Sequence, residues 1–166
     1  PDASAISFKV PFAPGTLKAV AKSHGKIVAT DEVKTAGKPA KLVLTADSPN
    51  MPLTPDWNDA RYVTATLVDD AGTRIPDSAT MVHFAAAGPA AVIAVDNGNM
   101  MDHDPFQATE RKVYDGNVTA IVRANGRLGK VTITASADGV APASITLTTA
   151  VANKEDARIA RAGRSF

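Results

Sequence analysis

Apolar and polar residues alternate at period two along most of this chain, in runs of roughly five to eight positions. Clusters of Gly, Pro, Asn and Asp stand between the runs. The pattern predicts strands over Ser7–Val10, Thr16–Ala21, Ile27–Thr35, Ala40–Ala46, Arg61–Val68, Thr80–Ala85, Ala91–Val95, Asn117–Ala124, Lys130–Ala137 and Ala143–Thr149. In Arg61–Val68, Val63, Ala65 and Leu67 share one face, and Tyr62, Thr64 and Thr66 share the other. Such a strand is buried on one side and wet on the other. Between strands the chain has Pro14-Gly15, His24-Gly25, Asp70-Ala71-Gly72, Asn97-Gly98, Asp115-Gly116, Asn125-Gly126 and Asp138-Gly139, pairs that supply the positive φ of tight reversals. No inter-strand stretch reads as a convincing amphipathic helix, so a parallel α/β sheet is not expected. The fold class is all-β: an immunoglobulin-like antiparallel β-sandwich preceded by a partial second β-sandwich module.

The division falls near Ala36-Gly37-Lys38-Pro39, because Gly and Pro break pairing and Pro39 has no amide to give to a ladder. Residues 1–36 hold three expected strands, too few to bury a core, and read as the C-terminal part of a truncated module. Residues 37–40 read as a linker. Residues 41–150 hold about seven strands, the size of one sandwich. Unpaired strand edges in the first part predict pairing with another chain, a route to homo-oligomers, or mobility of residues 1–36. The tail, 151–166, has helical propensity over 154–161 but only Ile159 as a large apolar anchor, and is expected frayed or disordered.

Composition narrows the function. Hydrophobic residues make up 45% of the chain and aromatics 5%, so Val, Ile, Leu and Ala must build the core. With 18 Lys and Arg against 17 Asp and Glu there is no broad field to draw nucleic acid or an anionic membrane. The absence of cysteine excludes disulfides, thiolate zinc sites and a cysteine nucleophile. No run is long and apolar enough for a spanning helix, and the first twenty residues lack a signal peptide's pattern. An exported parent, periplasmic or secreted, would carry its signal upstream.

Candidate chemistry is sparse. Asp96-Asn97-Gly98-Asn99-Met100-Met101-Asp102-His103-Asp104-Pro105-Phe106 gathers carboxylates, amides and an imidazole that could ligate a cation, with Asp96, Asp102 and Asp104 as the metal candidates. Asx turns after a strand explain the same residues, and this reading is preferred. Asp69-Asp70 and Asp31-Glu32 read as solvated charge rather than as a hydrolytic carboxylate pair. No nucleophile elbow or phosphate loop is present, and no cofactor is implied. Trp57, the single tryptophan, stands with Tyr62 near the Pro-rich run 49–56. The two are the candidates for stacking on a sugar ring, although a core or interdomain plug is the commoner use of a lone Trp. Arg111 and Tyr114 lie in the long connection 100–116 and are expected to pin it to the sandwich by packing and ion pairing.

Two parts of the chain resemble modules of one enzyme family. The run Pro14-Gly15-Thr16-Leu17-Lys18-Ala19-Val20-Ala21 with Gly25-Lys26, Val28-Ala29-Thr30 and Thr35-Ala36-Gly37-Lys38-Pro39-Ala40 resembles the closing half of the immunoglobulin-like module behind the catalytic barrel of family 2 β-galactosidases. A second set is similar to the bacterial immunoglobulin-like domain that ends many of those enzymes: Tyr62-Val63-Thr64-Ala65-Thr66-Leu67-Val68-Asp69, Gly72, Pro76, Val95-Asp96-Asn97-Gly98, Pro105-Phe106, Arg111 and Tyr114-Asp115-Gly116. The stretch Asn58-Asp59-Ala60-Arg61, with Trp57 beside it, departs from that pattern. The resemblance implies a parent that is an exo-acting retaining glycosidase, with its catalytic glutamates in a barrel that is not in this sequence. No catalytic residue carries over. The expected function is a non-catalytic accessory region whose partners are the catalytic and other β-sandwich domains of that parent. A carbohydrate-binding module, or an immunoglobulin-like repeat of a bacterial surface adhesin, are the alternatives.

Overall fold

The computed structural model describes residues 7–55 and 59–151. Trp57 and the tail from residue 152 onward lie outside the described residues. The described strands are β1 Thr16–Ser23, β2 Lys26–Lys34, β3 Lys41–Ala46, β4 Ala60–Val68, β5 Met81–Ala87, β6 Ala90–Asp96, β7 Glu110–Lys112, β8 Asn117–Ala124, β9 Gly129–Ala137 and β10 Val140–Thr149. The chain divides into two compact units, 1–36 and 37–166.

In the first unit β1 and β2 form an antiparallel hairpin, with Leu17 opposite Val33, Ala19 opposite Asp31 and Ala21 opposite Ala29. His24 and Gly25 both take positive φ, the pair of conformations that lets a two-residue turn follow the strands' twist. Residues 7–10 form no strand: a third strand was expected there, but alternation over four positions has no neighbour to pair with in this unit. The hairpin leaves Leu17, Val20, Ile27, Val28 and Val33 exposed.

The second unit is an eight-stranded all-β sandwich with strand order β6-β8-β4-β3-β10-β9-β5-β7. Inward positions supply its core: Val63, Ala65 and Leu67 of β4, Val118, Ala120 and Val122 of β8, Val82 and Phe84 of β5, and Val131, Ile133 and Ala135 of β9. The outward face of β4 carries Tyr62, half-exposed, then Thr64 and Thr66, whose hydroxyls bond across the sheet to Thr119 at 2.9 Å and Asn117 at 2.8 Å. All neighbours are antiparallel except one pair. At β3 and β10 the strands meet in parallel, Ala141 beside Lys41, with the Ala141 amide donating to the Ala40 carbonyl at 2.9 Å. That seam joins the two layers along one side. Pro142, which has no amide to donate, sits where the β9–β10 register shifts.

Two features differ from the alternation reading. The short strand β7 lies inside what read as a continuous connection, because its inward residue is Arg111 rather than an apolar one. Leu53, in the Pro-rich run, is fully buried: its amide donates to the Thr148 carbonyl at 2.8 Å, and its carbonyl accepts from Ala150 at 3.0 Å. The loop between β3 and β4 is thus stitched to the end of β10. Leu53→Ala is expected to cost about 3 kcal/mol of unfolding free energy, seen as a lower midpoint in urea at unchanged slope.

Candidate functional site

Three clusters of polar groups are built into the second unit, and each closes a loop. Asp69, at the end of β4, caps the turn that follows. Its carboxylate accepts from the Thr73 amide at 2.7 Å through Oδ1 and from the Gly37 amide at 2.8 Å through Oδ2. The Gly37 amide, then that of Thr73, holds its carboxyl below the ordinary carboxylate range, against the opposing effect of burial. Asp69 read as a solvated charge in the sequence; it is instead buried, because the turn amides replace its water. Residues 37–40 are bonded into the sandwich here, with the Ala40 amide donating to the Val68 carbonyl at 3.0 Å.

The second cluster organises the approach to β4. Arg61 is buried on β4 and its Nη2 donates to the carbonyls of Met51 at 3.1 Å and Pro52 at 3.4 Å, with Asp47 at 3.9 Å from Nη1. Asp59 accepts from the amide and hydroxyl of Thr54, at 2.5 and 3.0 Å. Tyr62, next along the strand, exchanges bonds with Asp47: its amide donates to the Asp47 carboxylate at 3.2 Å and its carbonyl accepts from the Asp47 amide at 3.1 Å. Of the sugar-stacking pair, the described residues include only Tyr62, exposed on the outer face of β4.

The third cluster is the loop from β6 to β7, which holds the metal candidates. It is a succession of Asx turns. Asp96 accepts from the Gly98 amide, Asn97 from Asn99 and Asn99 from Met101, each at 3.0 Å, and Asp102 accepts from Asp104 at 2.9 Å. Asp102 Oδ2 faces inward to Asn97 Nδ2 and Arg111 Nη1, both at 2.8 Å. Arg111, only 1% exposed, also donates from Nη2 to the Asp104 carbonyl at 2.5 Å and lies over the Phe106 ring, 4.9 Å from its centre. Arg111 pins the loop as expected. Tyr114 does not: its side chain is exposed, and its hold is a backbone bond to Asn117. The Asp104 amide, and after it Asn97 and Arg111, keep the Asp102 carboxyl below its ordinary range although burial opposes them. Among the described residues no group of three His, Asp or Glu side chains is placed to hold a metal ion.

The turn from β7 to β8 completes this end of the sandwich. Asp115 and Gly116 both take positive φ, and a Cβ on Gly116 would come within 2.7 Å of the Ile75 carbonyl oxygen. Arg74 pairs with the Asp115 carboxylate at 2.6 Å. The Asx character of 96–104 was legible in the sequence. The buried roles of Asp69 and Arg61 were not, because nothing local marks a charge as inward-facing.

Asp69 and Asp102 have folded pKa values below the unfolded one, so the native state releases their protons more readily than the unfolded chain. The stability they provide is fully present above about pH 5 and is lost as pH falls through about 4 and on through the folded values. The melting temperature is therefore expected to be level between pH 7 and 5 and to drop steeply toward pH 3. Asp102→Asn should lower it at pH 7 and flatten that acid decline; equal melting of the wild type at pH 7 and pH 3 would refute the assignment.

Residues 42–146 match the family model for the glycoside hydrolase family 2 C-terminal domain 5. Over 135 residues the chain is 36% identical to the Beta-galactosidase BoGH2A of Bacteroides ovatus, a span that is 81% of this chain and 16% of that protein. A family 2 glycosyl hydrolase from Bacteroides cellulosilyticus superposes with a TM-score of 0.79 at 36% identity, covering 85% of this chain and 18% of that one. A beta-glycosidase from Bacteroides vulgatus shares the fold, with a TM-score of 0.75 at 24% identity over 84% of this chain and 18% of its own. The chain thus spans less than a fifth of each of these proteins, and through residues 42–146 it belongs to the glycoside hydrolase family 2 C-terminal domain 5 family.

Proposed function

We propose that this chain is a non-catalytic accessory region of a longer family 2 glycosidase that removes terminal β-galactosyl residues. The match of residues 42–146 to a C-terminal domain of that family carries the reading, and the name of the Bacteroides ovatus relative supports the choice of sugar. The polar chemistry agrees. A glycosidase acid needs a carboxyl with a raised pKa placed opposite a second carboxylate across a cleft. Asp69 and Asp102 are the reverse: both are held ionised by turn amides and used to close loops.

The hairpin β1–β2 belongs to the same reading. Leu17, Ala19, Ala21, Ala29 and Val33 share one face with Asp31 as its charged member, while Lys18 opposite Glu32 and Val20 opposite Thr30 make up the other. Two strands cannot bury such a face by themselves. Its natural cover is the rest of a β-sandwich module supplied by the longer polypeptide, with the hairpin as that module's closing strands.

The purified 166-residue chain is expected to leave 4-nitrophenyl β-galactoside untouched, and the longer polypeptide to hydrolyse it. Release of nitrophenol by the chain alone, or none by the longer protein, would overturn the reading.

A further inference from the structure

The loop from β6 to β7 ends in an apolar tip that its own architecture does not use. Met100 is 94% exposed and Met101 79%. The two methionines are the central residues of a tight turn, closed by the Asp102 amide donating to the Asn99 carbonyl at 3.0 Å, while the Asn99 side chain holds the Met101 amide. Gly, Pro, Asn, Asp and Ser are the usual occupants of such positions, and two large apolar side chains there are not explained by turn formation. Behind them the Asp102–Arg111 pair and the Asx turns fix the root of the loop. A tip ordered in advance loses little entropy on docking, and the methionine side chain shapes itself to an irregular recess.

The surrounding charge indicates the partner. Asp96 and Asp104 are exposed on either side of the tip, whereas Asp102 turns inward to Arg111. An anionic membrane would be repelled by this pair, and the same tip of a second copy would set like charges against each other. The apolar patch is also small. An independent partner needs an interface of about 1,000 Å² or more, but a domain tethered in the same polypeptide works at millimolar effective concentration and needs far less. We propose that the Met100–Met101 turn is a preformed knob that seats in an apolar recess edged with Lys or Arg on another domain of the same longer polypeptide. The inference rests on the reading of the chain as part of a family 2 glycosidase.

Hydrogen peroxide oxidation followed by peptide mass mapping tests it, with free N-acetylmethionine as the rate reference. Met100 and Met101 are expected to form sulfoxide roughly tenfold more slowly in the longer polypeptide than in the 166-residue chain, as a tethered, mostly closed contact requires. Equal rates would overturn the proposal. So would protection in the 166-residue chain that grows with its concentration, which would assign the tip to a second copy. The double substitution Met100→Ser with Met101→Ser should leave the melting temperature of the 166-residue chain unchanged and make the longer polypeptide more open to limited proteolysis. A lower melting temperature of the chain itself would instead give the methionines an internal structural role. Loss of the glycosidase reading would show separately, as an absence of nitrophenyl galactoside hydrolysis in the same preparation, and leaves the oxidation result readable.

Discussion

Burial of the inward rows of β4 and β8 against those of β5 and β9 is the interaction on which the second unit rests. Those rows are Val, Ala, Leu, Ile and a single Phe, with Arg61 at the start of β4 as the charged exception. Each buried aliphatic side chain of the larger kind contributes about 1.5–3 kcal/mol, so the sum is sufficient only if nearly every inward position is apolar and closely packed. Period two enforces this: a slip of one residue in β9 would exchange the row for Lys130, Thr132, Thr134 and Ser136 from the outer face. The register observed for β4 and β8 places Val63 opposite Ala120 and Ala65 opposite Val118, pairing small with larger residues across the sheet.

Short aliphatic side chains fill a sandwich but do not seal its ends, where loops bring unpaired backbone groups inward. This chain meets that need with charges rather than with aromatics. Asp69 satisfies amides, and Arg61 and Arg111 satisfy carbonyls, each from a position at the edge of the core. The cost is visible: Nε of both arginines is buried without a hydrogen-bond partner among the described residues. Open edges are handled in the same economical way. The seam between β3 and β10 removes one edge of each layer, and at the edge strand β6 the Val95 amide donates to the Phe106 carbonyl.

These features fit a module that supports rather than reacts. Asp69 and Asp102 are used to close loops, the outer faces of β4 and β9 are rich in Thr and Ser, and the apolar exposures include Phe8 and Phe12, the hairpin of the first unit and the tip of the β6–β7 loop. The chain spans 16% of its Bacteroides ovatus relative, so most of that protein lies outside the matched region.

The sequence by itself determined the all-β class, nine of the ten described strands with at most a few residues' error in most ends, the facing of Val63, Ala65 and Leu67, the turn at His24-Gly25 and the Asx character of 96–104. All of these follow from rules that act within a few residues: pleat alternation, positive φ and side-chain-to-amide bonds. The tenth, β7, was hidden because a charged residue occupies its inward position. Only the tertiary structure decided that Arg111, Arg61 and Asp69 point inward, that Leu53 is stitched to β10, and that β3 and β10 meet in parallel. Each of those depends on groups far apart in the chain arriving at one place, and no local pattern of hydrophobic and polar residues records which distant partner will satisfy a given charge or backbone group.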